Sequence, residues 1–169
     1  MMKGKLYGVS VGPGDPELMT LKAVACIRKC PVLAAPRTSA GNSLALTIAA
    51  DIVNIAEKQI EYLDLPMTRN QNLLDKRQNA AADRIAAHLD AGQDVAVLNL
   101  GDASLYSSYS YLCRILLDRG YNAETIPGVT SFCACAAVVN RSLTSMNMPL
   151  HILPASMPDL SAALALPGG

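Results

Sequence analysis

Three short apolar runs in this chain each break into a loop of very small residues, and that repeated junction narrows the fold more than any other feature. Leu6 to Val11 opens into Gly12-Pro13-Gly14-Asp15-Pro16, Asp94 to Leu100 into Gly101-Asp102-Ala103-Ser104, and Ala123 to Ile126 into Pro127-Gly128-Val129-Thr130-Ser131. Strand-length runs that alternate with helical patterns read as βαβ units, so the expected class is α/β with a mostly parallel sheet flanked by helices. In an open sheet of that kind, ligands bind beyond the carboxyl ends of the strands, where such loops gather. Small residues there let a ligand reach backbone N–H and C=O groups with no side chain intervening.

The segments between the junctions fit the same scheme. Asp15 and Pro16 suit the start of a first helix carrying Leu18, Leu21, Val24 and Ala25 on one face. Val32 to Ala35 reads as a strand, Ser43 to Ile52 as a short apolar helix and Gln59 to Leu63 as another strand. Asn72 to Ala91 is expected to be a long helix, with Leu74, Ala81, Ile85 and Leu89 as its stripe and Gly92 as its C-terminal stop. Further helices are expected at Leu105 to Leu117 and Ser131 to Val139, and a last strand at His151 to Leu153. Residues 1–155 are read as one α/β domain. Residues 156–169, ending in the linker-like LPGG, are read as the start of a connection to a second domain that this sequence does not contain.

Composition removes several classes of partner. Charged residues balance, 14 basic against 14 acidic, which leaves none of the clustered positive charge that nucleic-acid binding needs. No apolar run reaches the ~20 residues of a membrane span, and MMKGKLYGVSVG lacks the apolar stretch of a signal peptide, so the reading is a cytoplasmic protein without membrane or nucleic-acid partners. Cys26, Cys30, Cys113, Cys133 and Cys135 are odd in number, lack C-x-x-C spacing and sit among apolar neighbours; buried free thiols are expected. With His88 and His151 as the only imidazoles, His88 placed on a helix surface, no protein-bound metal is expected.

The loops themselves leave alternatives. Gly12-Pro13-Gly14-Asp15-Pro16 is no phosphate cradle, because its prolines remove N–H donors and Asp15 repels an anion; it is either a rigid capped turn or a ligand loop. Asp102 either caps the helix after it or accepts from a ligand amino or hydroxyl group, and Thr130 and Ser131 pose the same choice.

Taken together, in this order and spacing, the junctions carry a resemblance. VSVGPGDPELMTLKA resembles the opening motif of the tetrapyrrole methylase superfamily, while LNLGDASLYSSYSYL and IPGVTSFCACAA are similar to later motifs of its precorrin-2 C20-methyltransferase branch. The stretch Ser104 to Leu112 favours that branch over the uroporphyrinogen III methylases. The resemblance covers nearly the whole chain and corresponds to the N-terminal domain of the family's two. It implies an S-adenosylmethionine-dependent C-methyltransferase acting on precorrin-2 or cobalt-precorrin-2 in cobalamin biosynthesis, as a homodimer with a tetrapyrrole substrate. It also implies that Pro13 abuts the methyl donor, that Gly101, Asp102, Ala103, Ser104 and Leu105 wrap it, and that Thr130 and Ser131 line the opposite side. Phe132 to Ala137 would pack a helix, and adenine contacts would come from the second domain. Asp15, Arg37, Tyr106 and Tyr109 are the substrate-side candidates beside ordinary packing or solvated roles, and no residue is assigned as catalytic. Two alternatives stand: another substrate within the superfamily, such as uroporphyrinogen III, and a non-catalytic binding or dimerisation module.

Overall fold

The computed structural model describes residues 2–37, 41–66, 68 and 70–166. Five strands, β1 (Leu6–Ser10), β2 (Val32–Pro36), β3 (Gln59–Leu63), β4 (Val95–Asn99) and β5 (Ala123–Ile126), form one sheet in the order β3-β2-β4-β1-β5. Every pairing is parallel, with Leu6 opposite both Val95 and Ala123, and Val32 opposite both Gln59 and Val95. All five carboxyl ends therefore emerge on one edge of the sheet.

Successive side chains of a strand point to opposite faces, and here both faces are covered. Tyr7, Val9, Leu33, Ala35, Ala96 and Leu98 join α1 (Leu21–Lys29) and α2 (Leu44–Ile52) in one core. Leu6, Val32, Ala34, Val95 and Val97 join α3 (Gln71–Asp90) and α4 (Tyr109–Asp118) in the other. Strands buried on both sides explain why β1 and β4 read as unbroken apolar runs, and each fully buried Leu or Ile contributes about 1.5–3 kcal/mol. The long helix ends where its sequence says it should, with Gly92 at φ 78° just past α3.

Several expectations need correction. Asp15 does cap, but it caps a single 3-10 turn, Pro16–Leu18, and α1 begins afresh behind Thr20, whose Oγ1 accepts from Ala23 N. The new start rotates the helix: Ala23, Cys26 and Ile27 face the core, while Leu21 is 89% exposed and Ala25 is exposed too. Leu105–Leu117 shortens to α4, because Tyr106 adopts φ 49°, which no helix accommodates. Tyr109 belongs to the core: its ring packs against Gly8, where an added Cβ would come within 2.2 Å of it. His88 is half-buried rather than a freely solvated helix-surface residue: its Nδ1 meets Gln93 Oε1 at 2.9 Å and its Nε2 lies 3.4 Å from Glu61. His151–Leu153 is not a strand.

The chain divides into two compact units, Met1–Ser131 and Phe132–Gly169. The second holds most of α5 (Ser131–Val138) and the short α6 (Leu160–Leu164). No residue of α5 is buried, and Cys133 and Cys135 are exposed, unlike the buried Cys26 and Cys30, so the expected packing role of Phe132–Ala137 and the buried state of those two thiols are not observed. The Pro167–Gly169 end of the expected linker lies outside the described residues. Among the described residues no helix is long and apolar enough to cross a membrane.

Candidate functional site

The three small-residue loops meet at the carboxyl edge over β1, β4 and β5, and a hydrogen-bonded clasp holds them there. Ser10, the last residue of β1, is fully buried. Its hydroxyl donates to Ile126 O of β5 at 2.7 Å and accepts from Ala103 N, past the end of β4, at 2.8 Å. One side chain thus ties both neighbouring strand ends to the central strand. Gly101 N donates to Gly12 O at 2.7 Å and Val11 N to Asn99 O at 2.8 Å, so the first two loops are also stitched backbone to backbone.

Asp102 completes the clasp. Its Oδ2 accepts from Gly128 N at 2.8 Å, which brings in the third loop, and its Oδ1 accepts from Ser104 N at 2.7 Å and from the Ser104 hydroxyl. Burial raises the carboxyl's pKa, but the hydrogen bonds from Ser104 and Gly128 outweigh it, and the net position is below the ordinary aspartate value. These bonds do not cap α4, which is instead preceded by Ser107, whose Oγ accepts from Tyr109 N at 3.1 Å and donates to Asn99 Oδ1 at 2.7 Å.

Close approach dictates the glycines. Gly12 and Gly101 have φ of 76° and 64°, a region unfavourable to residues with a Cβ. A Cβ on Gly128 would lie 2.4 Å from Ser10 Cβ and 2.6 Å from Gly101 O. Within this compact arrangement Thr130 Oγ1 is buried with no hydrogen-bond partner. A buried hydroxyl left unpaired is unfavourable.

A second region lies across β4. Over the ends of β2, β3 and β4 is an open cavity of about 980 Å³, whose lining includes Arg37, Ser43, Asp64, Asn99 and Tyr106. Arg37 and Tyr106 are thereby brought to one place. Asp15 is not among the residues lining it; its side chain is exposed and accepts from Glu17 N at 2.9 Å. Tyr106 is 70% exposed in its left-handed conformation at the cavity rim. Ser10, Ser43 and Asn99 are residues that sequence reasoning missed. Their signals were a serine closing the apolar β1, a serine before the apolar α2 and an asparagine ending β4.

A parallel sheet with glycine-bearing loops clasped at its carboxyl edge defines an open-sheet α/β ligand-binding domain. The chain belongs to the tetrapyrrole (corrin/porphyrin) methylases, whose family model matches residues 5–167. It is 38% identical over 173 residues to the cobalamin biosynthesis protein CobIJ of Mycobacterium tuberculosis, a match covering 96% of this chain and 34% of that one. It is 36% identical over 151 residues to the probable cobalt-precorrin-2 C(20)-methyltransferase of Methanocaldococcus jannaschii, covering 89% and 64%. With the cobalt-precorrin-2 C(20)-methyltransferase of Salmonella typhimurium the identity is 32% over 166 residues, covering 98% and 69%. The chain therefore spans about a third of the mycobacterial protein and about two thirds of the other two. Among solved structures, uroporphyrin-III-C-methyltransferase of Thermus thermophilus superposes with a TM-score of 0.64 at 26% identity, covering 87% of this chain and 57% of that one. A putative cobalamin synthesis related protein (CobF) of Corynebacterium diphtheriae gives 0.69 at 20% identity, covering 88% and 63%, a likeness of fold.

Proposed function

We propose that this chain carries the donor-handling part of an S-adenosylmethionine-dependent C-methyltransferase that methylates carbon 20 of precorrin-2 or cobalt-precorrin-2 in cobalamin biosynthesis. The observation that carries the reading is the clasp. Pro13, Gly101–Leu105, Thr130 and Ser131, far apart in sequence, belong to loops joined by Ser10 and Asp102. The relatives from Methanocaldococcus and Salmonella, named for that reaction, match along most of the chain.

The residues present suit a sulfonium donor. Pro13 and Pro16 deny a pyrophosphate its N–H partners, whereas Thr130 Oγ1 is a buried hydroxyl without a hydrogen-bond partner that a shift of its loop would offer to the donor. Pro13, Gly101–Leu105, Thr130 and Ser131 would hold the donor, and when bound it supplies an electrophilic methyl group for in-line transfer to a nucleophilic carbon. The chain's own part is geometric. Ser10 and Asp102 fix the loops before any ligand arrives, which lowers the entropy that binding would otherwise have to overcome. The cavity beside Arg37 and Tyr106 is where the substrate's rim would rest, leaving one macrocycle edge over β4. An electron-rich macrocycle is already nucleophilic at its meso carbon, so positioning and exclusion of water suffice and no base is assigned.

The same reading takes the protein as a cytoplasmic homodimer in which a second domain, represented in the extra length of the relatives, completes the donor site. Incubation of the protein with precorrin-2 and S-adenosylmethionine, followed by mass spectrometry and NMR of the product, tests it. One added methyl at carbon 20 is expected. Methylation of uroporphyrinogen III instead would move the chain to another branch, and no turnover with no binding of S-adenosylhomocysteine would leave a non-catalytic module.

A further inference from the structure

One residue that lines the cavity over β2, β3 and β4 carries a buried hydroxyl with no hydrogen-bond partner. Ser43 is only 6% exposed, lines the cavity, and has an Oγ that makes no hydrogen bond. It occupies the N-cap position of the nine-residue helix α2, where a serine side chain ordinarily accepts from an N–H of the first turn, yet it makes no such bond. The turn is held without it, because Thr47 N and Thr47 Oγ1 both donate to Ser43 O, at 3.1 and 3.2 Å. The first N–H groups of α2 thus lack both intrahelical acceptors and a cap, and they form the positive end of the helix dipole. Leu44 and Ala45, which open the helix, line the same cavity.

The charges around the cavity point the same way. Arg37, where β2 ends, lines it and has no ion-pair partner among the described residues. The other charged residue on the wall, Asp64, is paired with Arg77 Nη1 at 2.7 Å. An unpaired guanidinium, a free hydroxyl and a helix N-terminus are all hydrogen-bond donors, and they share one apolar-walled space of about 980 Å³. That set matches a carboxylate: guanidinium recognises it in a planar two-point geometry, and helix N-termini receive anions.

We propose that Arg37, the Ser43 hydroxyl and the N-terminus of α2 form a carboxylate subsite that anchors one acidic side chain of a polycarboxylate tetrapyrrole. This rests on the reading of the chain as a tetrapyrrole methyltransferase and adds where, and by which atoms, the substrate is gripped. Ser43 is a positioning and affinity residue here, not a catalytic one.

The test is a fluorescence titration of uroporphyrin III, and of its derivative with every acid converted to a carboxamide, against the wild-type protein, Arg37→Met and Ser43→Ala. Calorimetry with S-adenosylhomocysteine and thermal melts run in parallel. Each substitution is expected to weaken the acid about tenfold, the worth of a charge-assisted hydrogen bond, while leaving the carboxamide and S-adenosylhomocysteine within about twofold of wild type. Acid binding unchanged in both variants overturns the subsite, as does equal wild-type affinity for acid and carboxamide. Weakened S-adenosylhomocysteine with unchanged uroporphyrin III also overturns it, by assigning the grip to the donor's own carboxylate. Should Ser43→Ala fail to fold, Arg37→Met decides alone, since Arg37 is exposed. The two readings part cleanly: precorrin-2 turnover insensitive to both substitutions removes the subsite and keeps the enzyme, whereas lost acid binding without wild-type turnover does the reverse.

Discussion

The two halves of the sheet's carboxyl edge are built on opposite principles. Over β1, β4 and β5 the Ser10 and Asp102 side chains are both spent on neighbouring loops, and a Cβ on Gly128 would collide with its surroundings. Over β2, β3 and β4 there is open volume, a buried hydroxyl without a partner and an arginine with no ion pair among the described residues. Asn99 stands on the seam. Its carbonyl accepts from Val11 N on the clasped side, and its side chain accepts from Ser107 on the open side. A reactive small donor must be held at one angle, which favours a site rigid before binding. A large acidic macrocycle is better received by a surface whose donors the ligand itself completes. The comparison predicts that substitutions in one half should spare the ligand of the other.

The largest effect should come from Gly128→Ala. The added methyl would meet Ser10 Cβ at 2.4 Å and the backbone oxygen of Gly101 at 2.6 Å, so a loop must move rather than a flexible side chain. Overpacking of this kind costs about 1–3 kcal/mol, and displacement of a positioned contact set lowers affinity about a hundredfold. Calorimetry with S-adenosylhomocysteine and denaturant unfolding measure the two; wild-type donor affinity would show that the clasp is not part of the donor site. Ser10→Ala comes next. It strands Ala103 N and Ile126 O together, each a buried group that loses its partner, for about 2 kcal/mol of stability and about tenfold in S-adenosylhomocysteine affinity. Uroporphyrin III binding should stay within about twofold of wild type, and a parallel loss would erase the distinction between the halves.

How much of this was legible beforehand follows the same division. All five strands, the parallel sheet and the three loops could be read from the chain, because a strand buried on both faces leaves a continuous apolar run and a tight junction needs glycine or proline. The residues proposed to hold the donor came from the family resemblance, which those contiguous motifs carry. The open half was read only in part. Arg37 and Tyr106 were named, but Ser43 and Asn99 join them through the placement of β2 beside β4, a non-consecutive pairing that local patterns do not encode. The face of α1 was misread because the 3-10 turn after Asp15 inserts a second helix start at Thr20. His151–Leu153, expected as a last strand, forms none, since β-propensity reports mostly on packing partners.

A smaller effect is expected from protonating Asp102. Its pKa is depressed in the folded state, so the carboxylate's contribution is complete above its unfolded value, about 3.9, and is lost as the pH falls through the lower folded value. Between about pH 5 and 8 this group therefore adds no slope to donor affinity. Below about pH 4 the acceptor for Gly128 N weakens, and S-adenosylhomocysteine affinity should fall in wild type. Asp102→Asn should bind more weakly throughout and lose that acid limb in a calorimetric pH series. An identical limb in the variant would assign it to another group.

The smallest expected effect is also the sharpest test of the contrast, because it concerns the same substitution in the other half. Ser43→Ala removes a hydroxyl that makes no hydrogen bond in the free protein and caps nothing. Removing an unsatisfied buried polar group relieves its desolvation cost, so the unliganded variant should unfold within about 0.5 kcal/mol of wild type or slightly above it. Ser10→Ala, equally a loss of one buried oxygen, should unfold about 2 kcal/mol lower. Urea titrations of both variants without ligand make the comparison directly. A Ser43→Ala penalty as large as that of Ser10→Ala would mean that the Ser43 hydroxyl already has a structural partner, and the open half would then be as self-satisfied as the clasped one.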